Sequence, residues 1–111
     1  MTPHETAARA KQASRMLARV STKEKNEVLL VLEGLIAQRR DFLIDENRKD
    51  VEKAEREGMP AALVERLRLT NKVLGEMEAS LRDVVALPDP VGEIGKLWKR
   101  PNGLLVGRMR I

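Results

Sequence analysis

Apolar residues recur three and four positions apart through most of the first 87 residues, the spacing of one face of an α-helix. The first such segment opens with Thr2, Pro3 and Glu5, a capping box with proline in the first helical turn. A second capping box, Ser21 with Glu24, restarts the pattern. The sequence therefore predicts two consecutive helices, each with a well-defined first turn.

The second helix has the strongest apolar face, and we predict that it supplies the main core surface. The residues of that face are Val28, Leu29, Leu32, Leu35 and Ile36. A third helix begins after a change of phase at residues 39–41 and ends at Gly58, since glycine suits a helix C-terminal cap. Its predicted apolar positions are Phe42, Leu43, Val51 and Ala54.

A short helix is predicted at residues 61–67, after Pro60, and Thr70 is placed to cap the next helix. The apolar positions of this last helix are Val73 or Leu74, Met77, Leu81, Val84 and Val85. The segment is therefore expected to be mainly α, a helical bundle of about five helices.

The helical pattern stops at Leu87, because Pro88 and Pro90 remove two amide donors. Residues 94–99 and 104–111 are strand-like, and the four residues between them suit a type I turn with a bulge. We therefore predict two parts, a helical part at residues 1–87 and a proline-rich linker with a β-hairpin at residues 88–111. A lone two-stranded hairpin is marginally stable in water, so it needs a packing partner.

Charge is distributed unevenly along the chain. The formal net charge is +4, yet residues 94–111 contain five basic residues and no acidic one. Such a basic end could bind the phosphates of a nucleic acid. Single-strand binders add aromatic stacking platforms, however, and this chain has only Phe42 and Trp98. We expect a solvated surface or an acidic neighbour, and no nucleic-acid partner.

The third helix is rich in acids that could form a carboxylate pair or a metal site. These acids are Asp41, Asp45, Glu46, Asp50, Glu52, Glu55 and Glu57. Several have a base four residues away, which is typical of an exposed helix. The pairs are Asp45 with Lys49, Glu52 with Arg56, and Lys53 with Glu57. We interpret the cluster as a charged outer face.

Other chemistry is limited by the absence of cysteine and by a single histidine, His4. The glycines lack the strand–turn–helix order of a phosphate-binding loop. No apolar run approaches the roughly 20 residues of a membrane span. We predict no catalytic, cofactor-binding or metal-binding residue in this chain. The basic first 20 residues resemble an organellar transit peptide, but we favour a cytoplasmic location.

Four large hydrophobic residues of the hairpin exceed what a solvated hairpin would expose, and we predict that they form a subunit or domain interface. They are Leu97, Trp98, Leu105 and Met109. The expected partner is the remainder of a longer protein or another subunit. The alternative is a stand-alone helical interaction module that self-associates through the hairpin.

Several strings along the chain resemble the N-terminal segment of the glutamate-5-semialdehyde dehydrogenases, also called gamma-glutamyl phosphate reductases. The most specific strings are Leu87-Pro88-Asp89-Pro90-Val91-Gly92-Glu93 and Arg100-Pro101-Asn102-Gly103-Leu104. Others are Ser21-Thr22-Lys23-Glu24-Lys25-Asn26, Glu46-Asn47-Arg48-Lys49-Asp50 and Leu63-Val64-Glu65-Arg66-Leu67. Glu65 departs from the family, which usually has Asp there.

The resemblance implies part of an α/β aldehyde dehydrogenase-like fold and an NADPH-dependent reduction of L-glutamyl 5-phosphate to glutamate 5-semialdehyde in proline biosynthesis. It also implies that the hairpin belongs to an arm through which the subunits of a homo-oligomer pair. Family members use a cysteine nucleophile, which this chain lacks. We therefore expect an N-terminal fragment that is inactive alone and binds no cofactor alone.

Overall fold

The computed structural model describes all 111 residues, and most of them are helical. The elements in chain order are α1 (Pro3–Leu17), α2 (Thr22–Gln38), α3 (Arg40–Arg56), α4 (Ala61–Leu67), α5 (Asn71–Ala86), β1 (Trp98–Lys99) and β2 (Leu105–Val106). The two strands pair antiparallel. The predicted order of five helices followed by a hairpin is confirmed.

Local capping signals form as the sequence predicts. The Glu5 N–H donates to Thr2 Oγ1 over 3.2 Å, and the Thr2 N–H donates to Glu5 Oε2 over 2.7 Å. The equivalent distances in the second capping box, between Ser21 and Glu24, are 3.1 and 2.9 Å. These hydrogen bonds to the carboxylates lower the pKa of both glutamates. Gly58 ends α3 with a φ of 77°.

The chain forms two compact units. One contains residues Met1–Lys25 and Leu87–Ile111, and the other contains Asn26–Ala86. In the second unit, α3 packs against both α4 and α5. Val51, Ala54 and Val64 form a buried cluster between α3 and α4, and Leu74 on α5 is fully buried.

The prediction that α2 supplies the main core surface is wrong. Only Ile36 is buried on this helix, whereas Val28 is 66% exposed and Leu35 is 48% exposed. The core forms instead where α3 meets α4 and α5. Phe42, also predicted as a core position, is 56% exposed. Periodicity identified an apolar face correctly, but it cannot tell whether another element of the same chain covers that face.

Polar contacts tie the helices of the second unit together. The Arg40 guanidinium donates to Glu78 Oε1 over 2.6 Å and to the Asn71 carbonyl over 3.1 Å, joining α3 to the start and the middle of α5. Arg82 on α5 pairs with Glu33 on α2. None of these long-range pairs has a local sequence signal.

The acids of α3 lie on an exposed face, as predicted, with some changes of partner. Lys53 and Glu57 pair at 3.9 Å, while Asp45 pairs with Arg48 at 3.3 Å rather than with Lys49. Glu46 and Lys49 pair at 2.5 Å. The predicted pair of Glu52 with Arg56 does not form. Neighbours three residues apart are as close on a helix as those four apart, which explains the exchange.

Candidate interaction surfaces

The hairpin turn has the predicted geometry. The Gly103 N–H donates to the Arg100 carbonyl over 2.9 Å, and the Arg100 N–H donates to the Leu104 carbonyl over 2.7 Å. Gly103 has a φ of 85°, the conformation expected of glycine after a type I turn. The regular strands are much shorter than predicted, because the ladder is interrupted after two residue pairs.

The interruption is a β-bulge. Trp98 pairs with Val106, and further along the hairpin Ile94 pairs with Met109. Three residues separate these pairs on the first strand and two on the second, so the first strand carries one extra residue. Beyond the bulge the hairpin continues, because the Gly95 N–H donates to the Arg108 carbonyl over 2.8 Å.

Gly107 makes room for the bulge. A Cβ atom at this position would lie 2.4 Å from Leu97 Cδ2, so the Leu97 side chain lies directly over the glycine. Residues 104–111 were predicted as strand-like, but a bulge away from the turn was not predicted. An isolated glycine within a strand pattern is the signal that could have indicated it.

The predicted interface residues lie on two faces of the hairpin. Alternation along the second strand places Leu105 and Met109 on the same side as Gly107, and therefore with Leu97. Ile94 joins them because it is opposite Met109. We call this set, Ile94, Leu97, Leu105 and Met109, the apolar face of the hairpin; its members are 54–69% exposed. Trp98, 42% exposed, lies on the opposite face with Val106.

A second exposed apolar surface follows α2. A groove of about 380 Å³ lies between α2 and α5, and another of about 370 Å³ lies between α2 and α3. Leu32 and Ile36 line both grooves. The other apolar lining residues are Leu35, Phe42, Leu43, Val73, Met77, Leu81 and Val84. We call these grooves with their lining the α2 surface. Exposed apolar surface of this extent is typical of an interaction site.

The linker after α5 is held by one carboxylate. Asp89 Oδ2 accepts hydrogen bonds from Lys25 Nζ and Thr22 Oγ1, each over 2.8 Å, and Oδ1 accepts from the Val91 N–H over 3.0 Å. The hydrogen bonds from Lys25, Thr22 and Val91 lower the pKa of Asp89 from 3.8 to about 2.

Side chains of the types that bind metal ions do not cluster in this chain. No three His, Asp or Glu side chains come together in an arrangement that could hold a metal ion. His4 is exposed in the first turn of α1. No helix has both the length and the apolar character needed to cross a membrane. The surfaces that remain are suited to contact with other protein.

Comparison with known proteins finds close relatives over nearly the whole chain. The chain is 52% identical to the gamma-glutamyl phosphate reductase of Aquifex aeolicus over 103 residues, which is 93% of this chain and 24% of the relative. The corresponding enzyme of Thermodesulfovibrio yellowstonii is 50% identical over 102 residues, 92% of this chain and 24% of the relative. No family model matches the chain.

The fold agrees with the sequence comparison. The crystal structure of gamma-glutamyl phosphate reductase from Thermotoga maritima matches with a TM-score of 0.87 at 36% identity, over 95% of this chain and 25% of that one. The chain therefore spans about a quarter of the length of the curated relatives it matches. The resemblance predicted from the sequence is confirmed: the chain is homologous to the gamma-glutamyl phosphate reductases.

Proposed function

We propose that the chain is the N-terminal segment of a gamma-glutamyl phosphate reductase that acts in the cytoplasm. The complete enzyme reduces L-glutamyl 5-phosphate to glutamate 5-semialdehyde with NADPH, in proline biosynthesis. The observation that carries this proposal is the extent of the similarity, at least 92% of this chain but only 24% of its relatives. In this proposal residues 1–87 are the helical N-terminal part of the cofactor-binding domain, and residues 88–111 are a proline-rich linker and the β-hairpin of the oligomerisation arm.

The α2 surface supports the view that further protein packs here. A helix that is apolar on more than one side is normally buried. On α2, Val31 is 62% exposed and Leu30 is 47% exposed, in addition to the residues that line the two grooves. This helix is therefore suited to contact protein on several sides.

The segment alone is inactive in this proposal, because its residues do not provide the chemistry. It has no cysteine to attack an acyl phosphate. Both strands follow the last helix, so no glycine lies in a loop between a strand and a following helix, the arrangement that binds dinucleotide phosphates. The residues of this chain thus do not form a site for NADPH.

A chimera tests the function. Residues 1–111 replace the matching quarter of the Thermotoga maritima reductase, and phosphate-dependent oxidation of glutamate 5-semialdehyde with NADP⁺ is measured. We expect turnover by the chimera and none by the 111-residue chain. The matched control carries the corresponding quarter of the Aquifex aeolicus enzyme. An inactive chimera beside an active control would contradict the assignment, and turnover by the chain alone would contradict its inactivity.

A second candidate is a stand-alone helical module that self-associates through the hairpin. The unpaired outer edges of a two-stranded sheet favour it, since such an edge pairs readily with another strand. Because Arg100 and Leu104 form a hydrogen-bonded pair, the N–H of Leu105, next in register, points outward.

Light scattering over a concentration series tests this module. Self-association that is abolished by Leu105→Pro, which removes an outward donor and leaves the inner bonds, would support it. Val106→Pro, which breaks the hairpin itself, should have the same effect. A chain that stays monomeric throughout the series would exclude it.

A further inference from the structure

The Asp89 carboxylate connects the base of the hairpin to the first turn of α2. We propose that Asp89 is a latch that fixes the direction of the hairpin relative to the first turn of α2, within one compact unit. Without the latch, we expect the hairpin to keep its internal pairing but to move independently of that first turn. This inference concerns the conformation of the chain and does not depend on the proposed enzymatic function.

The contacts of Asp89 with α2 span a long distance in sequence. Thr22 and Lys25 precede Asp89 by 67 and 64 residues, and both donate to the same oxygen, Oδ2. The side chains of Lys25 and Asp89 are only 27% and 15% exposed. Hydrogen bonds to an ionised group are stronger than neutral ones, and partial burial reduces their screening by salt. The pair is therefore more durable than an exposed surface ion pair.

The other carboxylate oxygen shapes the linker itself. Oδ1 accepts the Val91 N–H, and the Glu93 N–H then donates to the Pro90 carbonyl over 3.2 Å. Gly92 follows with a φ of 83°, and its N–H donates to the Arg110 carbonyl over 2.9 Å. One side chain thus holds α2 and also starts the turn that leads into the first pairing of the hairpin.

The residues beside Asp89 restrict the linker before the latch closes. Pro88 and Pro90 each fix φ near −65°, and each also limits the residue before it. A linker with few accessible conformations loses little entropy when its carboxylate binds Thr22 and Lys25. A single residue is therefore sufficient to hold the segment in place.

Spin-label distances in the 111-residue chain test the latch. The chain has no native cysteine, so Gln12→Cys and Lys99→Cys place single labels on exposed positions of α1 and the hairpin, within one compact unit. We expect one narrow distance distribution in the parent and loss of that narrow peak in Asp89→Ala. Asp83→Ala, which removes an exposed carboxylate from α5, should leave the distribution unchanged.

Amide hydrogen exchange distinguishes a freed hairpin from an unfolded one. The Gly95 and Arg100 N–H groups, which bond across the hairpin, should remain as protected in Asp89→Ala as in the parent. Loss of their protection would overturn the latch, because Asp89 would then stabilise the hairpin itself. Thr22→Val combined with Lys25→Met, which removes both α2 donors and keeps the bond to Val91, provides a second test should Asp89→Ala fail to fold. A distribution as narrow in that variant as in the parent would also overturn the latch.

Discussion

Asn47 is the residue whose side chain best illustrates how a single amide can hold a connection in place. It is buried on α3, its Nδ2 donates to the Leu67 carbonyl over 2.9 Å, and its Oδ1 accepts from the Leu69 N–H over 2.7 Å. Both partners belong to the segment between α4 and α5, where no helix supplies backbone partners. The position needs a donor and an acceptor on one short side chain.

Asn47→Asp should therefore destabilise the chain, although it changes almost no volume. The carboxylate still accepts from Leu69, but it cannot donate to the Leu67 carbonyl and places a charge in a buried position. We expect a loss of about 1–3 kcal/mol in the free energy of unfolding at neutral pH, measured by urea titration. Gln12→Glu, the same change at an exposed amide, is the control. Equal effects of the two substitutions would contradict this role for Asn47.

Residue-level signals that act over three or four positions were readable from the sequence. Thr2, Ser21, Thr70 and Gly103 all have their predicted partners or backbone, because caps and turns depend on near neighbours. Asn47 could not be recognised in this way. Its partners lie at least 20 residues away, and only the packing of α3 against the α4–α5 connection brings them close.

At the scale of elements, two glycines should respond in opposite directions to the same substitution. Gly58 has a φ of 77°, so Gly58→Ala puts a side chain into left-handed backbone and should cost about 1–2 kcal/mol. Gly75 lies inside α5 with open space around it, so Gly75→Ala should stabilise by about 0.5–1 kcal/mol. Urea titration of both variants measures these changes, and effects of the same sign would contradict the prediction.

The stabilising hydrogen bonds of the Asp89 carboxylate in the linker should be lost in acid. Because folding lowers the pKa of Asp89 from 3.8 to about 2, its stabilising effect is complete above pH 3.8 and is lost as the pH falls towards 2. We expect the difference in unfolding free energy between the parent and Asp89→Asn to be constant at higher pH and to shrink across this interval. Glu5 and Glu24 titrate in both proteins and cancel in the comparison. A difference that stays constant down to pH 2 would contradict the assigned pKa.

The helices and the hairpin were largely predictable from the sequence, whereas the packing of one element against another was not. Five helices and a hairpin follow from periodicity, capping residues and turn residues. Periodicity gave α2 an apolar face but could not show that α3 would pack against α4 and α5 and leave most of that face exposed. The prediction grouped Leu97 with Trp98 without assigning strand faces, and alternation along the strand places them on opposite faces of the hairpin.

At the scale of the whole molecule, buried apolar side chains stabilise this chain, whereas exposed ones are available for contact with other protein. Leu74 is fully buried, so Leu74→Ala should cost about 2–5 kcal/mol. Phe42 is 56% exposed on the α2 surface, so Phe42→Ser should cost less than about 1 kcal/mol in the 111-residue chain. Urea titration compares the two, and similar losses would show that Phe42 is already covered.

The same substitution also reports on the proposed complete enzyme. If the remainder of a reductase covers the α2 surface, Phe42→Ser should destabilise the chimera more than it destabilises the 111-residue chain, because a covered phenylalanine loses more apolar contact on replacement. Thermal unfolding of the chimera with and without Phe42→Ser measures this difference. If Phe42→Ser destabilises the chimera no more than the isolated chain, the rest of the reductase does not cover Phe42.

Because the first strand has one extra residue opposite Gly107, the shape of the hairpin depends on the exact number of residues in each strand. Deleting one residue from the bulge would bring the base and the tip of the hairpin into one continuous register. Ile94 would still face Met109 and stay on the same side as Leu97, but the bend and the extra twist that a bulge gives the hairpin would be lost. Relatives that use the apolar face of the hairpin for contact should therefore tolerate substitutions along it far more readily than single-residue insertions or deletions.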